Sequence, residues 1–549
     1  MHFHDNRSQL LSVRLFQNLG PTALADLFSE LDWLSLTGGD TLFRTGDAGD
    51  ALYVVLSGRL RILLEHSDGT SEILREVARG ETVGELALLT GKPRSATVLA
   101  IRDTDLARLS RAAFENALRK HPQIVSHLAV QIADRQSQAT DETLSRRNIR
   151  TLAILPFDEL VPAADVARSV AATLRAAGST LHLEKRSMDV NGDSASDHAA
   201  GNAQLTSYLN SLETDHRFVV YEAEAGLSSW TDQCIRQADL ILIVAAVNSA
   251  PSSSRLHALN GFLSRRNVTA TVELLLLHSG NFDPTVEAGR WLSGLTVNAH
   301  HHMVDGAKSD LAKLLRLLTG SAVGLVLSGG GARGFAHIGV LRALNECGIP
   351  IDYIGGTSMG AVIAAQHALG WDCRTMSRVN KETWPRCQPQ RNYTLPLVAL
   401  NSAKRMDRML REMFGASEIQ NLRTNFFCVS TNLTRADAMI YQTGLLWKAV
   451  RASVSVPGIG PPAIEAGEIF VDGGLVNNLP VDVMKRFCSG AVVAVDVSEQ
   501  VEFKCQLQES YSVSGWKILW QRISPFRERC DIPSILNTLY RTTAVAGIR

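Results

Sequence analysis

The chain has 549 residues, of which 45% are hydrophobic and 20% charged, a composition ordinary for a globular protein of about three or four domains. Lys plus Arg and Asp plus Glu number 55 each, so the net charge does not favour a nucleic-acid partner. The eight cysteines are scattered without a CxxC pair, which argues against a zinc site or a redox motif, and we predict no metal.

The N-terminal sequence MHFHDNRSQLLSVRLF lacks the apolar core and the cleavage site of a signal peptide. The longest apolar run, at 238–247, is shorter than the roughly 20 residues that a bilayer-spanning helix needs. We therefore expect a cytoplasmic protein with no signal peptide and no transmembrane helix, and any membrane contact at the inner surface is expected to be peripheral.

The first predicted domain covers residues 1–147. Helical periodicity gives way at residue 39 to short alternating strands, which are separated by Gly- or Asp-bearing turns until residue 110. A helical stretch follows from 111 to 147. This spacing predicts an N-terminal β-roll with flanking helices.

The segment ETVGELALLTGKPRSATV (81–98) carries the chemistry that a cyclic nucleotide requires. The guanidinium of Arg94 and nearby amides suit the cyclic phosphate, and the carboxylate of Glu85 suits the ribose 2′-hydroxyl. The segment resembles the phosphate-binding cassette of the cyclic nucleotide-binding domain family, and the resemblance extends over residues 15–140. It implies a site at Gly84, Glu85, Leu86, Ala87, Arg94 and Ser95.

Two alternatives stay open for this roll. It either binds cAMP or cGMP as an effector or keeps the shape of the family without a ligand. A DNA-binding regulator is not expected, because a long α/β region without a basic recognition helix follows the roll.

Residues 148–320 alternate between apolar strands and amphipathic helices, which predicts an α/β linker domain around a parallel sheet. The segment has no phosphate-binding glycine loop and no metal cluster. We expect this domain to have a structural, sheet-extending or docking role.

A third domain is predicted over 321–500, and it contains the sequence GGTSMGAVI at 355–363. Ser358 lies between a predicted strand and a predicted helix, which is the context of a nucleophile elbow. Gly356 and Gly360 leave room for the strained turn. Ser358 is thus the candidate catalytic nucleophile.

The base that would activate Ser358 is harder to assign. His367 is the only later histidine, and it lies nine residues on in the same predicted helix, about 13 Å along the axis. His337 is a formal alternative, although a packed or solvated histidine is the simpler interpretation. Asp472, in IFVDGGLVNNLP, could itself be the general base if burial raised the pKa of its carboxylate. The alternative is that it belongs to an ordinary Asp-Gly-Gly turn.

A glycine-rich segment, SGGGARGFAHIG (328–339), exposes backbone N–H groups at the start of a predicted helix, which suits an oxyanion. A dinucleotide-binding loop fits the same glycine spacing, but no acidic ribose partner follows at the expected distance. The predicted oxyanion-hole residues are Gly329, Gly330, Gly331, Ala332, Arg333 and Gly334.

GGGARG, GTSMG and DGG in this order resemble the patatin-like phospholipase family over about 322–500. The resemblance implies a Ser358–Asp472 dyad, a third motif at Gly473 and Gly474, and hydrolysis of phospholipid or lysophospholipid acyl esters without a cofactor. This chain has DGG where DGA is commoner.

The order of roll, α/β linker and patatin-like domain resembles the bacterial branch of the neuropathy target esterase family. The competing hypothesis is a cyclic-nucleotide-sensing interaction protein whose patatin domain is inactive.

Two further segments have alternative interpretations. Residues 451–467 (RASVSVPGIGPPAIEAG) either shape an acyl pocket or simply connect two elements. In the C-terminal extension, 501–549, Trp516 and Trp520 lie among basic residues, which suits a membrane interface or packing on the core.

Overall fold

The structure is a computed structural model, and it describes residues 26, 28–65, 71–120, 149–187, 208–210, 212–213, 215–265, 270–283, 288–387, 394–395 and 397–498. The chain divides into two compact units: Met1–Phe282 with Val286–Gly320, and Asp283–Thr285 with Ser321–Arg549. The helices predicted before residue 26, most of the helix predicted over 111–147, and the C-terminal extension with Trp516 and Trp520 lie outside the described residues. The helical periodicity predicted up to residue 38 is wrong for Leu31–Leu36, which form a strand because they pair with Thr104–Ser110 of the roll.

The first unit begins with a roll of two four-stranded antiparallel sheets, in the orders β1-β8-β3-β6 and β2-β7-β4-β5. Strand β3 is buried along its whole length because the two sheets pack face to face around it. The elements of the roll are β1 (Leu31–Leu36), β2 (Thr41–Phe43), β3 (Ala51–Ser57), β4 (Arg59–Glu65), β5 (Ser71–Ala78), β6 (Thr82–Val83), α1 (Glu85–Thr90), β7 (Thr97–Ala100), β8 (Thr104–Ser110) and α2 (Arg111–Lys120).

The same unit continues as a six-stranded parallel sheet in the order β10-β11-β9-β12-β13-β14. Strand β12, the apolar run noted in the sequence, is central and covered on both faces, which is why it is continuously hydrophobic. The elements are β9 (Thr151–Pro156), α3 (Ala163–Leu174), β10 (Thr180–Leu183), β11 (Phe218–Glu222), α4 (Ser229–Gln237), β12 (Leu240–Ala246), α5 (Ser253–Arg265), β13 (Thr271–His278), α6 (Gly289–Leu292), β14 (Ala299–Val304) and α7 (Lys308–Leu318).

Buried ion pairs join the roll to this parallel sheet within the first unit. Arg102 donates to the Glu213 carboxylate at 2.5 Å, and its Nε lies 2.9 Å from the Asp239 carboxylate. Arg59, from β4, lies 3.5 Å from the same Asp239 oxygen. Breaking one partner of such a pair leaves a buried charge uncompensated, so the two layers are held in one arrangement.

The second unit is built on a seven-stranded mixed sheet in the order β19-β20-β17-β16-β15-β21, with β18 paired to β17. Strands β21, β15, β16 and β17 are parallel. Strands β18 and β20 each pair antiparallel with β17, and β19 pairs antiparallel with β20. The strands are β15 (Val323–Leu327), β16 (Tyr353–Thr357), β17 (Asn425–Asn432), β18 (Asp437–Tyr441), β19 (Ala463–Glu465), β20 (Glu468–Asp472) and β21 (Ala491–Val495).

One helix of this unit, α9, is central to the core. Nine of its ten residues are buried, so the residue at its N-terminus is fixed inside the core. The helices in the described part of the unit are α8 (Ala336–Glu346), α9 (Met359–Ala368), α10 (Cys373–Thr383), α11 (Lys404–Phe414), α12 (Leu446–Ser453) and α13 (Val481–Phe487), with 3₁₀ turns at Gly331–Phe335, Trp384–Cys387, Ile419–Asn421 and Gly473–Leu475.

The predicted fold class, a multidomain chain with a β-roll followed by α/β regions, is confirmed. Within the described residues, no helix has both the length and the apolar run that crossing a bilayer requires.

Candidate active site

Ser358 occupies a strained turn between β16 and α9. Its backbone has φ 54° and ψ −122°, values that a residue with a side chain rarely adopts. A Cβ on Gly356 would lie 2.4 Å from the carbonyl oxygen of Leu327, and one on Gly360 would lie 2.3 Å from the same atom. The two glycines are therefore required because β15 passes too close for any side chain.

The hydroxyl of Ser358 donates a 2.6 Å hydrogen bond to Oδ2 of Asp472. The other carboxylate oxygen, Oδ1, accepts a 2.8 Å bond from the backbone N–H of Gly474. Both side chains are buried, with 9% of Ser358 and 3% of Asp472 exposed. The structure thus brings together two residues 114 positions apart, because β20 pairs with β17, which lies next to β16.

Burial sets the protonation behaviour of Asp472. Loss of water around the carboxylate raises its pKa from 3.8 to about 6, and the hydrogen bonds from Ser358 and Gly474 offset only part of that rise. A carboxylate with this pKa is ionised at neutral pH and is a stronger base than a solvated aspartate.

His337 is fully buried on α8, and its Nε2 lies 2.9 Å from the carbonyl oxygen of Ser328. Burial lowers its pKa, so the ring is neutral and Nε2–H donates to that carbonyl. The histidine therefore holds the beginning of the glycine loop. His367 lies in the last turn of α9, whereas Ser358 caps the N-terminus of that helix.

The glycine loop packs against the nucleophile elbow. A Cβ on Gly329 would lie 3.1 Å from the Cβ of Ser358, and one on Gly334 would lie 2.4 Å from the Met359 side chain. Gly331 has φ 56° and starts the 3₁₀ turn that includes Ala332, Arg333 and Gly334. The loop approaches Ser358 this closely because these positions lack a Cβ.

The backbone N–H groups of the loop are used differently from one another. That of Gly329 donates to the carbonyl oxygen of Asn478 at 3.2 Å, and that of Arg333 donates to Gly330 at 3.2 Å. Among the described residues, the N–H groups of Gly330 and Gly331 have no hydrogen-bond acceptor. These two amides are therefore available to a hydrogen-bond acceptor.

Several supporting residues were not predicted from the sequence. Ser453, at the end of α12, accepts a 2.9 Å hydrogen bond from the backbone N–H of Ser358 and donates a 2.6 Å bond to the Val429 carbonyl. Thr431 donates to the backbone carbonyl of Asp472 at 2.9 Å. The only signal for Ser453 was its place in the 451–467 segment, whose role was left open.

Gly473 and Gly474 serve different purposes in the third motif. A Cβ on Gly473 would lie 2.3 Å from the carbonyl oxygen of Val429, so the strand excludes a side chain there. Gly474 supplies the N–H that binds the Asp472 carboxylate. In the part of the chain that the structure describes, no group of three or more His, Cys, Asp or Glu side chains is placed to hold a metal ion.

In the roll, the predicted phosphate ligand Arg94 points into the protein. Its guanidinium donates to the carbonyl oxygens of Gly84 at 3.0 Å and Ala51 at 2.8 Å, and to Asp50 at 3.2 Å. It also lies over the ring of Phe43, 4.2 Å from the centroid. The Nε atom is buried and has no hydrogen-bond acceptor among the described residues.

The other predicted nucleotide residues surround α1. Gly84 has φ 90° and precedes the helix, Glu85 is 7% exposed at its first position, and Ala87 is buried against Gly49. Leu86 and Ser95 are exposed.

Three family models match the chain. They are described as a cyclic nucleotide-binding domain at residues 33–121, a Neuropathy Target Esterase family P-loop like domain at residues 148–320, and a patatin-like phospholipase at residues 325–485.

Curated proteins align with most of this chain. It is 31% identical over 572 residues to "Patatin-like phospholipase domain-containing protein 6" of Pongo abelii, covering 94% of this chain and 41% of the relative. It is also 31% identical over 604 residues to "Lysophospholipase nte1" of Neosartorya fischeri, covering 96% and 39%. The chain thus spans about two-fifths of the length of these curated relatives. Among solved structures, the catabolite activator protein of Thermus thermophilus is 29% identical over 30% of this chain and 71% of that chain, with a TM-score of 0.23.

Proposed function

Because the chain carries a patatin-like phospholipase domain together with a neuropathy target esterase family P-loop-like domain and a cyclic nucleotide-binding domain, we propose that it is a serine esterase acting on phospholipids or lysophospholipids. The relatives named patatin-like phospholipase and lysophospholipase support the lipid class.

The observation that carries the proposal is the 2.6 Å hydrogen bond from the Ser358 hydroxyl to Asp472. A nucleophilic serine needs a base within hydrogen-bond reach, and the dyad meets that requirement without a histidine. The strained backbone of Ser358 adds support, because such conformations concentrate at active sites.

In the first step, the Oγ of Ser358 attacks the ester carbonyl carbon while Asp472 accepts the hydroxyl proton. The carbonyl oxygen takes up the negative charge, and the N–H groups of Gly330 and Gly331 stabilise it. Loss of one such donor typically costs about 10²–10³ in rate. Collapse of the intermediate transfers the proton from Asp472 to the departing alcohol and leaves an acyl ester on Ser358.

In the second step, Asp472 accepts a proton from water, and the resulting hydroxide equivalent attacks the acyl ester. The same two amides receive the oxyanion again. The fatty acid leaves, and the proton returns from Asp472 to the Oγ of Ser358, so that the dyad is restored.

Release of fatty acid from lysophosphatidylcholine tests this function directly. We expect activity in the wild type and its loss in both Ser358→Ala and Asp472→Asn, with labelling by a serine-reactive fluorophosphonate lost in Ser358→Ala. Activity that survives in Ser358→Ala would overturn the assignment of the nucleophile. A chain that binds cyclic nucleotide but neither hydrolyses lipid nor reacts with fluorophosphonate would instead be a nucleotide-sensing interaction protein.

Regulation by cAMP or cGMP is a second part of the proposal. It is supported by the buried Nε of Arg94, a charge-bearing donor without an acceptor among the described residues. An incoming cyclic phosphate would compete with Asp50 for the same guanidinium. A nucleotide would therefore bind Arg94 by displacing the carboxylate of Asp50, whose side chain is exposed.

A further inference from the structure

Three large apolar side chains of the second unit are exposed, and they lie close together in the sequence. Leu395, Leu397 and Val398 are 73%, 83% and 69% exposed, respectively. Single exposed leucines are common on protein surfaces, but neighbouring exposed aliphatic side chains are typical of interaction sites. We name these three residues the apolar loop.

The apolar loop is held in place by its backbone. Thr394 donates its N–H to the carbonyl oxygen of Leu400 at 3.1 Å, which closes the loop. Leu400 and Asn401 then donate to the carbonyl oxygens of Gly458 and Ile459, each at 2.9 Å. The side chains are therefore exposed on an anchored loop.

The segment that anchors the apolar loop, residues 453–459, also contacts the proposed catalytic dyad. The N–H of Asp472 donates to the carbonyl oxygen of Ser455 at 2.9 Å, and Ser455 lies three residues before Gly458. Ser453, which binds the N–H of Ser358, begins the same segment. Residues 453–459 thus connect the apolar loop to both members of the dyad through hydrogen bonds.

Two more exposed apolar residues follow this segment in the chain and pair with one another across two strands. Ile464, on the edge strand β19, is 73% exposed, and its partner across the strands, Ile469, is 39% exposed. Leu433, 50% exposed, donates its N–H to Ile469 at 2.8 Å.

Positive charge accompanies the apolar loop. Helix α11 begins at Lys404, four residues after Leu400, and Lys404 and Arg408 are exposed. The acidic residue of this first turn, Asp407, is paired with Arg451 at 2.6 Å. Its charge is therefore compensated, and the start of α11 presents cations.

We propose that the apolar loop inserts into an anionic lipid bilayer while Lys404 and Arg408 contact its headgroups. This inference rests on the proposed lipid esterase function. Exposed aliphatic side chains next to cations are the combination that binds a bilayer interface, where acyl chains lie beneath phosphates. Docking there would bring the dyad to the surface in which its substrate is dissolved.

Flotation with vesicles tests the surface independently of catalysis when it is done in a Ser358→Ala background. The probes are vesicles of phosphatidylcholine with and without phosphatidylglycerol. We expect Leu395→Asp with Leu397→Asp to lower the partition coefficient about tenfold or more, because two apolar side chains no longer enter the bilayer. Lys404→Gln with Arg408→Gln should weaken binding to the anionic vesicles only.

The matched control is Leu160→Asp, because Leu160 is 86% exposed but belongs to the first unit. It should float as the parent does. Circular dichroism and thermal unfolding check that each variant is folded.

Equal flotation of the loop variant and its parent, or no flotation of the parent, would overturn the proposal. A loop variant that changes the oligomeric state and leaves flotation unchanged would assign the surface to self-association instead. Lysophospholipid hydrolysis by the wild type is measured separately, so loss of the proposed function and loss of the docking surface give different results.

Discussion

The backbone N–H of Ser358 donates a 2.9 Å hydrogen bond to the hydroxyl of Ser453, a residue 95 positions later in the chain. The same hydroxyl donates to the carbonyl oxygen of Val429 at 2.6 Å. Ser453 is fully buried, so both bonds are made away from water. It is a positioning residue that ties the strained elbow to strand β17.

Replacing Ser453 with alanine should lower kcat about tenfold with little change in KM, because the elbow loses the bond that orients it. Two buried polar groups lose their partner, at a cost of roughly 1–3 kcal/mol each in unfolding free energy. The matched control is Ser430→Ala, another fully buried serine, whose hydroxyl contacts Tyr441. Kinetics and urea unfolding of both variants check this. Equal kcat values for Ser453→Ala and Ser430→Ala would show that Ser453 has only a structural role.

The rate should depend on pH through Asp472. Its pKa of about 6 means that the carboxylate is protonated, and unable to accept the serine proton, in more acidic solution. We expect kcat/KM to fall about tenfold per pH unit below that value and to reach a plateau above it. A pH profile with a lysophospholipid substrate measures this. A profile that stays flat well below pH 6 would exclude Asp472 as the base.

The same pKa predicts a gain in stability on replacing the carboxylate. Folding raises the pKa of Asp472 from 3.8 to about 6, so the wild type is stabilised below 3.8 and loses that stability as the pH rises through 6. An asparagine side chain at this position would keep an acceptor for Gly474 and a donor for Ser358 without the buried charge. Asp472→Asn should therefore be more stable than the wild type at pH 8, by up to about 3 kcal/mol.

Urea unfolding at pH 8 and at pH 5 tests this, and the difference should shrink at the lower pH. A variant less stable than the wild type at pH 8 would show that the ionised carboxylate is stabilised by its surroundings instead.

Gly360→Ala should damage the elbow. The new Cβ would lie 2.3 Å from the carbonyl oxygen of Leu327 and 2.6 Å from that of Ser328, and both are backbone atoms of the neighbouring strand and loop. Displacing the nucleophile by an ångström can cost about 10²-fold in rate. We expect a loss of that size in kcat.

The control for this variant is Gly339→Ala, also in a helix of the second unit. Its Cβ would meet nothing within 4 Å, and alanine in a helix interior is favoured over glycine by about 0.5–1 kcal/mol. Activity should be retained and thermal stability should rise. Equal activity of the two variants would contradict the steric argument.

Nucleotide binding by the roll should depend on Arg94 and be opposed by Asp50. We expect Arg94→Ala to weaken binding of cAMP or cGMP about 30-fold or more, because a buried charged donor is lost. Asp50→Asn should tighten it, because the competing carboxylate is removed. Calorimetric titration of the full chain with each nucleotide measures both. Equal affinity in the wild type and Arg94→Ala would contradict the proposal that a nucleotide binds the roll through Arg94.

Much of the candidate site is encoded locally and was predictable for that reason. A serine at a strand–helix turn needs glycines beside it because the adjacent strand leaves no room for a Cβ, and Gly356 and Gly360 mark that turn in the sequence. The glycine loop and the Asp-Gly-Gly motif could be predicted for the same reason, because each contains glycines at which a Cβ would clash with a neighbouring residue. The strands of the roll between residues 39 and 110 could be predicted as short segments separated by turns, whereas β1 could not, because its sequence has helical spacing.

The tertiary structure decided what depends on distant contacts. The hydroxyl of Ser453, the carbonyl of Asn478 and the inward turn of Arg94 toward Asp50 all join residues far apart in the chain, and no spacing in the sequence encodes them. The pKa of Asp472 is another such property, because it comes from the removal of water by the folded core. By itself the sequence marked Ser358, the glycine loop and Asp472 as candidates, because the backbone turns that hold them are local. Their mutual distances and protonation depend on packing between strands that only folding brings together.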